Sequence, residues 1–185
     1  MSVLQIPFAQ IETRSRKVSK LLFPLRPSKI PVGCKMCLQP FHGCKVIAAH
    51  DSTKSIENFG DWYFKTFVSD IVCQYYELWQ PFRNDSKLHL FRAYLNLSLV
   101  NRSDYKFEKL LSIHCDPCED NSNAIGRYKR GPHLHVQKAE YPIPECHFPL
   151  NFTELDRVLS SVDSVTEALA NAIEIVRTEV LLRYK

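Results

Sequence analysis

In the stretch Phe64-Lys65-Thr66-Phe67-Val68-Ser69-Asp70-Ile71-Val72-Cys73-Gln74-Tyr75-Tyr76-Glu77-Leu78-Trp79, the apolar residues Phe64, Phe67, Val68, Ile71, Val72, Tyr75, Leu78 and Trp79 recur at intervals of three and four. That period predicts an amphipathic helix around Gly60–Trp79, ended by Pro81. Downstream the period shortens. Leu88, Leu90, Tyr94 (after Phe91), Leu95, Leu97 and Leu99 mark a strand-like run to Val100, and Asn101-Arg102-Ser103-Asp104 supplies turn chemistry before a return strand over Phe107–His114. Ile125–Tyr128, His133–Lys138 and Cys146–Leu150 read as further short strands, broken by Gly131-Pro132 and by Pro142 and Pro144.

The C-terminal end reads as helix. Asn151 or Thr153 can cap a segment carrying Leu155, Val158 and Leu159. A second helix begins near Asp163, with Val165, Leu169, Ala172, Ile173, Val176 and Val180 on one face. Upstream, Pro7, Pro24, Pro27 and Pro31 interrupt residues 1–33, which read as an extended arm with a short helix around Arg14–Phe23. The expectation is an α+β fold, an antiparallel sheet of about four or five strands packed on helices, with an extended basic N-terminal arm. Residues 1–50 form the arm with its Cys-rich loop, and 51–185 a single α+β domain.

The net charge of +4 conceals an asymmetry. Residues 1–50 hold Arg14, Arg16, Lys17, Lys20, Arg26, Lys29, Lys35 and Lys45 against Glu12 alone, leaving the remainder mildly acidic. Such an arm suits nucleic acid or another anionic partner, or is simply solvated. No apolar stretch of the roughly 18 residues a transmembrane helix needs occurs, and the N-terminus lacks the apolar core of a secretory leader. The chain has 7 cysteines, an odd number. Free thiols or metal ligands in a reducing, cytoplasmic setting are expected rather than a disulfide framework.

The chemistry concentrates in Arg127-Tyr128-Lys129-Arg130-Gly131-Pro132-His133-Leu134-His135. Residues two apart on a strand share a face, so His133 and His135 point at one place. His147, on a returning strand, can bring a third imidazole. Three imidazoles can hold zinc with an open position for water. Without metal, they can act as acid and base on a phosphodiester. Arg127, Lys129 and Arg130 can clamp the phosphate. The plainer alternative is that these are strand histidines with ordinary hydrogen bonds.

A second constellation is Cys34-Lys35-Met36-Cys37, followed by His42 and Cys44. The first three ligand positions match a zinc knuckle, but only one residue separates His42 from Cys44. A different completion is Cys115-Asp116-Pro117-Cys118, which would make Cys34, Cys37, Cys115 and Cys118 a structural zinc site. Unliganded cysteines and a redox dithiol are the other readings. Cys73 sits within the apolar pattern as a core thiol, and His114 could ligate or cap the second cysteine pair. Neither a Gly-rich phosphate loop nor a serine-nucleophile motif is present.

The segment Arg127–Phe148 resembles the TumE-type toxins of bacterial toxin–antitoxin pairs. Arg127-Tyr128, Pro132-His133 and Pro144 with His147 stand in the order of that family's Arg-Tyr…Pro-His-His and Pro-His-His-Lys-His elements. The likeness covers only about twenty residues, and the departures are clear. Lys129-Arg130 stand where the family has an acidic-amide pair, Leu134 replaces the second adjacent histidine, and Cys146 precedes a single His147. The resemblance implies a small α+β protein acting on RNA, with an antitoxin-like partner. The leading expectation is thus a toxin- or defence-like protein, a nuclease in which His133, His135 and His147 are acid/base groups or metal ligands. The alternative is a non-enzymatic, zinc-stabilised adaptor that binds nucleic acid or a partner protein.

Overall fold

The computed structural model describes residues 4–27, 35–51, 62–81, 86–101, 103, 106–119, 129–136, 146–150 and 155–184, with the backbone alone described at 35, 136, 146 and 147. Its centre is an antiparallel sheet of 9 strands. In chain order these are β1 (Gln5–Pro7), β2 (Lys35–Phe41), β3 (Cys44–His50), β4 (Phe64–Lys65), β5 (Ile71–Pro81), β6 (Lys87–Val100), β7 (Phe107–Cys115), β8 (His133–Val136) and β9 (Cys146–Pro149). They lie in the order β2-β3-β5-β6-β7-β8-β9, with β1 added to β6 and β4 to β5. Among the described residues, three α-helices accompany it: α1 (Ile11–Leu21), α2 (Leu155–Val158) and α3 (Val162–Ile175), the last widening into a π-helical turn over Val176–Leu181.

This corrects the expectation of four or five strands packed on helices. The deciding stretch is strand, not helix. Phe64–Lys65 is β4 and Ile71–Pro81 is β5, hydrogen-bonded to β3, β4 and β6. The physical reason lies in burial on both sides. Ile71, Cys73, Tyr75 and Trp79 are buried on one face, and Val72 and Tyr76 on the other. A strand covered on both faces loses its apolar–polar alternation, so its apolar residues mimic a helical period. The β-branched and aromatic composition of Ile71-Val72 and Tyr75-Tyr76 was the better guide.

The extended basic arm is corrected as well. β1 pairs with β6, so that Ile6 lies opposite Leu88. α1 sends Ile11 and Val18 into the main core. The Cys-rich loop is a hairpin: β2 and β3 pair from Lys35 opposite His50 to Phe41 opposite Cys44. His42 (φ 46°) and Gly43 (φ 79°) make its two-residue turn, the left-handed conformation such hairpins require and glycine adopts without strain. Arg16, Lys17 and Lys20 lie on the exposed side of α1, whereas Arg14 points into the core.

Register divides the sheet into two faces. On the first, Ile47, Tyr75, Trp79, Ala93, Leu95, Leu97, Ile113 and Cys115 pack with α1 and with Val165, Leu169, Ala172 and Ile173 of α3. At its centre Glu77 is fully buried and paired with Arg14 of α1. The carboxylate accepts from Arg14 Nε (3.0 Å), Arg14 Nη2 (2.5 Å), Tyr75 Oη (2.7 Å) and Trp79 Nε1 (2.9 Å). Arg14 also donates to Thr166 Oγ1 of α3. Burial alone would lower the pKa of this guanidinium, but the charge and hydrogen bonds of Glu77 hold it above the usual arginine range. On the second face Cys37, Val46, Ala48, Trp62 and Tyr76 form a smaller core.

The strands expected over Leu88–Val100, Phe107–His114, His133–Lys138 and Cys146–Leu150 are β6 to β9 within a few residues. That expected over Ile125–Tyr128 lies outside the described residues. Among the described residues, no helix is long and apolar enough to cross a membrane.

Candidate metal centre

β7 and β8 pair with His114 opposite His133 and Ser112 opposite His135. Alternation along each strand puts these four side chains on the second face. β6 continues the register, with Tyr94 opposite His114 and Asn96 opposite Ser112. The His114 ring stacks on Tyr94 with centroids 3.8 Å apart and planes within 5°. On its other sides it meets His135 at 4.7 Å and the edge of His133 at 5.8 Å.

Asp116 follows β7 two residues after His114, and its backbone N–H donates to the Lys129 carbonyl at 2.9 Å. That bond ties the end of β7 to the start of β8. The outcome is a three-residue group, His114, Asp116 and His133, whose ligand atoms lie within 4.8 Å of one another. His133 is 1% exposed and Asp116 8%. Two imidazoles and one carboxylate at that separation could hold a metal ion.

The supporting contacts fit that role. His133 Nδ1 lies 3.0 Å from the Gly131 carbonyl. A carbonyl only accepts, so Nδ1 carries the proton and Nε2 keeps the lone pair a metal needs. Gly131 also packs so close to α2 that an added Cβ would stand 2.5 Å from Leu155 Cδ1. Asp116 Oδ1 accepts from Tyr94 Oη at 2.7 Å and lies 3.5 Å from Arg92 Nε. Burial pushes the Asp116 carboxyl above the usual range, against the opposing pull of the Tyr94 hydrogen bond and the Arg92 charge. Burial, and then the Asp116 charge, raise the Tyr94 phenol, which stays a neutral donor.

The sequence-predicted residues fare differently. His133 and His135 stand two residues apart on β8, and of the two only His133 belongs to the three-residue group. His147 stands opposite His135 on β9. Of the phosphate residues, Arg127 lies outside the described residues. Lys129 adds positive potential at Asp116, and Arg130 Nε donates to the Pro117 carbonyl at 3.0 Å.

The cysteines are dispersed. Cys34 lies outside the described residues. Cys37 packs in the small core of the second face, whereas Cys115 is fully buried in the helix-side core of the first. Between β2 and β7 stand β3, β5 and β6. Cys118 is exposed, with its thiol donating weakly to the Leu90 carbonyl at 3.5 Å. Within the hairpin, Cys37 pairs with Ala48 and Cys44 with Phe41. Those two thiols are therefore about four residues apart along a strand, some 13 Å.

No family model matches the chain. Neither the curated proteins nor the solved structures contain a match to it.

Sequence reasoning missed His114 and Asp116 as partners of His133. The signal was available: His114-Cys115-Asp116 is a second pair at i and i+2, the spacing that singled out His133 and His135. Reading Cys115 and Cys118 as the ligands hid it.

Proposed function

We propose that the protein is a divalent-metal-dependent ribonuclease of the toxin or defence type, with zinc on His114, Asp116 and His133. The observation that carries this is the buried group itself, with ligand atoms within 4.8 Å and the His133 tautomer held by Gly131. Three protein ligands leave positions for water and substrate, as in hydrolytic zinc sites. When bound, the ion would lower the pKa of a water and polarise a phosphodiester.

The remaining roles fall to the chain's own groups. Arg92 and Lys129 supply positive charge beside Asp116 for a phosphate. His135, stacked at 4.7 Å from His114, is placed to hold or pass a proton. Tyr94 and Gly131 are positioning groups, fixing Asp116 and His133. RNA as the substrate and an antitoxin-like partner rest on the resemblance of Arg127–Phe148 to TumE-type toxins. A cytoplasmic location accords with the free thiols among the described residues.

The test is elemental analysis of the untagged protein alongside RNA cleavage by the wild type and by His133→Ala. The expected result is stoichiometric zinc and cleavage, both lost in the variant with its melting cooperative. Undiminished cleavage by His133→Ala sinks the nuclease reading.

A second reading is a non-catalytic protein in which the ion is structural. The near-complete burial of His133 favours it. In that case metal would raise thermal stability and the protein would cleave no RNA.

A further inference from the structure

α1 packs on the first face of the sheet, opposite the metal group, and one of its sides is not used by the fold. Ile11 and Val18, with Leu22 and Leu25 just past the helix, anchor it in the core. On the other side Arg16 and Lys20 are both exposed. They stand four residues apart, about 6 Å along the axis. Phe23 comes three residues later, in a 3₁₀ turn (Phe23–Leu25). Steps of four and three keep Arg16, Lys20 and Phe23 on one stripe.

Phe23 is 71% exposed, more than any other large apolar side chain among the described residues. Leu22 and Leu25 take the core positions beside it, so its ring is turned out to solvent. Cations surround it. Arg26 Nη2 folds back to donate to the Ser19 carbonyl at 3.0 Å and to Ser19 Oγ at 3.2 Å. That puts a third cation beside the last turn of α1. Lys17 flanks the stripe in an exposed pair with Asp163 at 2.8 Å. Such a pair is weak and screened by salt, which leaves Lys17 available to another anion. At the start of the helix Lys45 and Glu12 line one small cleft. The acidic side chains facing these cations are Glu12, Asp163 and, toward Arg26, Asp51. Positive charge is in excess.

A ligand for this surface has to offer spaced negative charges together with a flat apolar face. Single-stranded nucleic acid offers both: phosphates for the cations and unstacked bases for an aromatic ring. An anionic membrane fits less well. A helix lying in a membrane interface buries a whole apolar side, and that side of α1 is already committed to the core. We propose that the outer side of α1 binds single-stranded nucleic acid, with Arg16 and Lys20 on phosphates and Phe23 stacked on a base. These contacts are to phosphate and ring face, so RNA and DNA strands bind alike. The surface is separate from the metal group and does not depend on the ribonuclease reading.

The experiment is fluorescence anisotropy of the full chain with a short labelled oligouridylate and with an oligothymidylate. Wild type is expected to bind both, more weakly as salt rises. Phe23→Ala and Phe23→Leu should each weaken binding by about 5- to 100-fold. Phe23→Trp should retain it, because leucine keeps apolar bulk without a ring face and tryptophan keeps both. Arg16→Gln combined with Lys20→Gln should lower the salt slope by about one for each cation removed. All three side chains are exposed, so melting temperatures should stay near that of wild type. Wild-type affinity in Phe23→Leu, an unchanged salt slope in the double variant, or binding of neither oligonucleotide would overturn the proposal. Phosphatidylserine vesicles that bind wild type and Phe23→Leu but not Phe23→Ala, with oligonucleotide affinity the same in all three, would assign the surface to a membrane and also overturn it. An absence of RNA cleavage alongside the expected binding would remove the ribonuclease reading and leave this proposal standing.

Discussion

His114 and His133 stand opposite each other on β7 and β8, and each is tied to the chain next to it. Asp116, two residues after His114, turns back to the same group. Gly131, two residues before His133, accepts from that ring at 3.0 Å. The centre is therefore built from two short segments, each with an i, i+2 relationship, joined by one strand pairing.

Removing the Tyr94 hydroxyl should loosen metal without unfolding the sheet. Its donation to Asp116 Oδ1 at 2.7 Å orients the carboxylate. Loss of such a supporting contact typically costs about 10–100-fold in metal affinity. Competition with a chelating dye should show a drop of that size for Tyr94→Phe, with the metal-free melting temperature nearly unchanged. Equal affinity would remove Tyr94 from the site.

The Arg14–Glu77 pair should behave as a buried network whose halves cannot be separated. Both side chains are almost fully buried. Breaking one side leaves an uncompensated charge, at a cost of about 3–5 kcal/mol. Urea unfolding of Glu77→Leu should show a loss of that order. The double variant R14M/E77L should recover much of it, since no lone charge remains.

α3 should depend on its cap. Ser161 Oγ accepts from the Ser164 backbone N–H at 3.0 Å. Losing a serine cap costs about 1 kcal/mol. Chemical denaturation of Ser161→Ala is expected to show that loss with an unchanged denaturant slope. Ser161→Gly should lose less.

The thiols should react in the order of their exposure. Cys118 is exposed and Cys44 half-buried, while Cys37, Cys73 and Cys115 are buried. Burial first, and then the charges of Asp116 and Glu77, push the Cys115 thiol well up, which suppresses its thiolate. Among the described thiols, alkylation of the native protein followed by peptide mapping should label Cys118 first and Cys44 next. Cys37, Cys73 and Cys115 should label only after unfolding. Labelling of Cys115 in step with Cys118 would contradict the packing described for the end of β7.

Much of the second half of the chain was legible from local pattern. β6 and β7 keep enough alternation, and the turn residues around Asn101 are explicit enough, for the hairpin to be read directly. α3 shows its apolar face in Val165, Leu169, Ala172 and Ile173. β5 was not legible, because burial on both faces erased the period that distinguishes strand from helix. The N-terminal segment misled through its prolines and cations. Its apolar residues Leu4, Ile6, Ile11 and Val18 are sparse along the chain, yet all are buried.

That His133 and His135 share a face, and that polar chemistry gathers near the start of β8, could be read from the order of residues. Both follow from the two-residue repeat of a strand, a property of the chain alone. Which residues join them follows from the fold. Register across β6, β7 and β8 brought His114, Asp116, Asn96 and Ser112 to the same face, and placed Cys37 and Cys115 on opposite ones. Which residues face one another across a sheet depends on the pairing of distant segments, and no spacing along one strand records it.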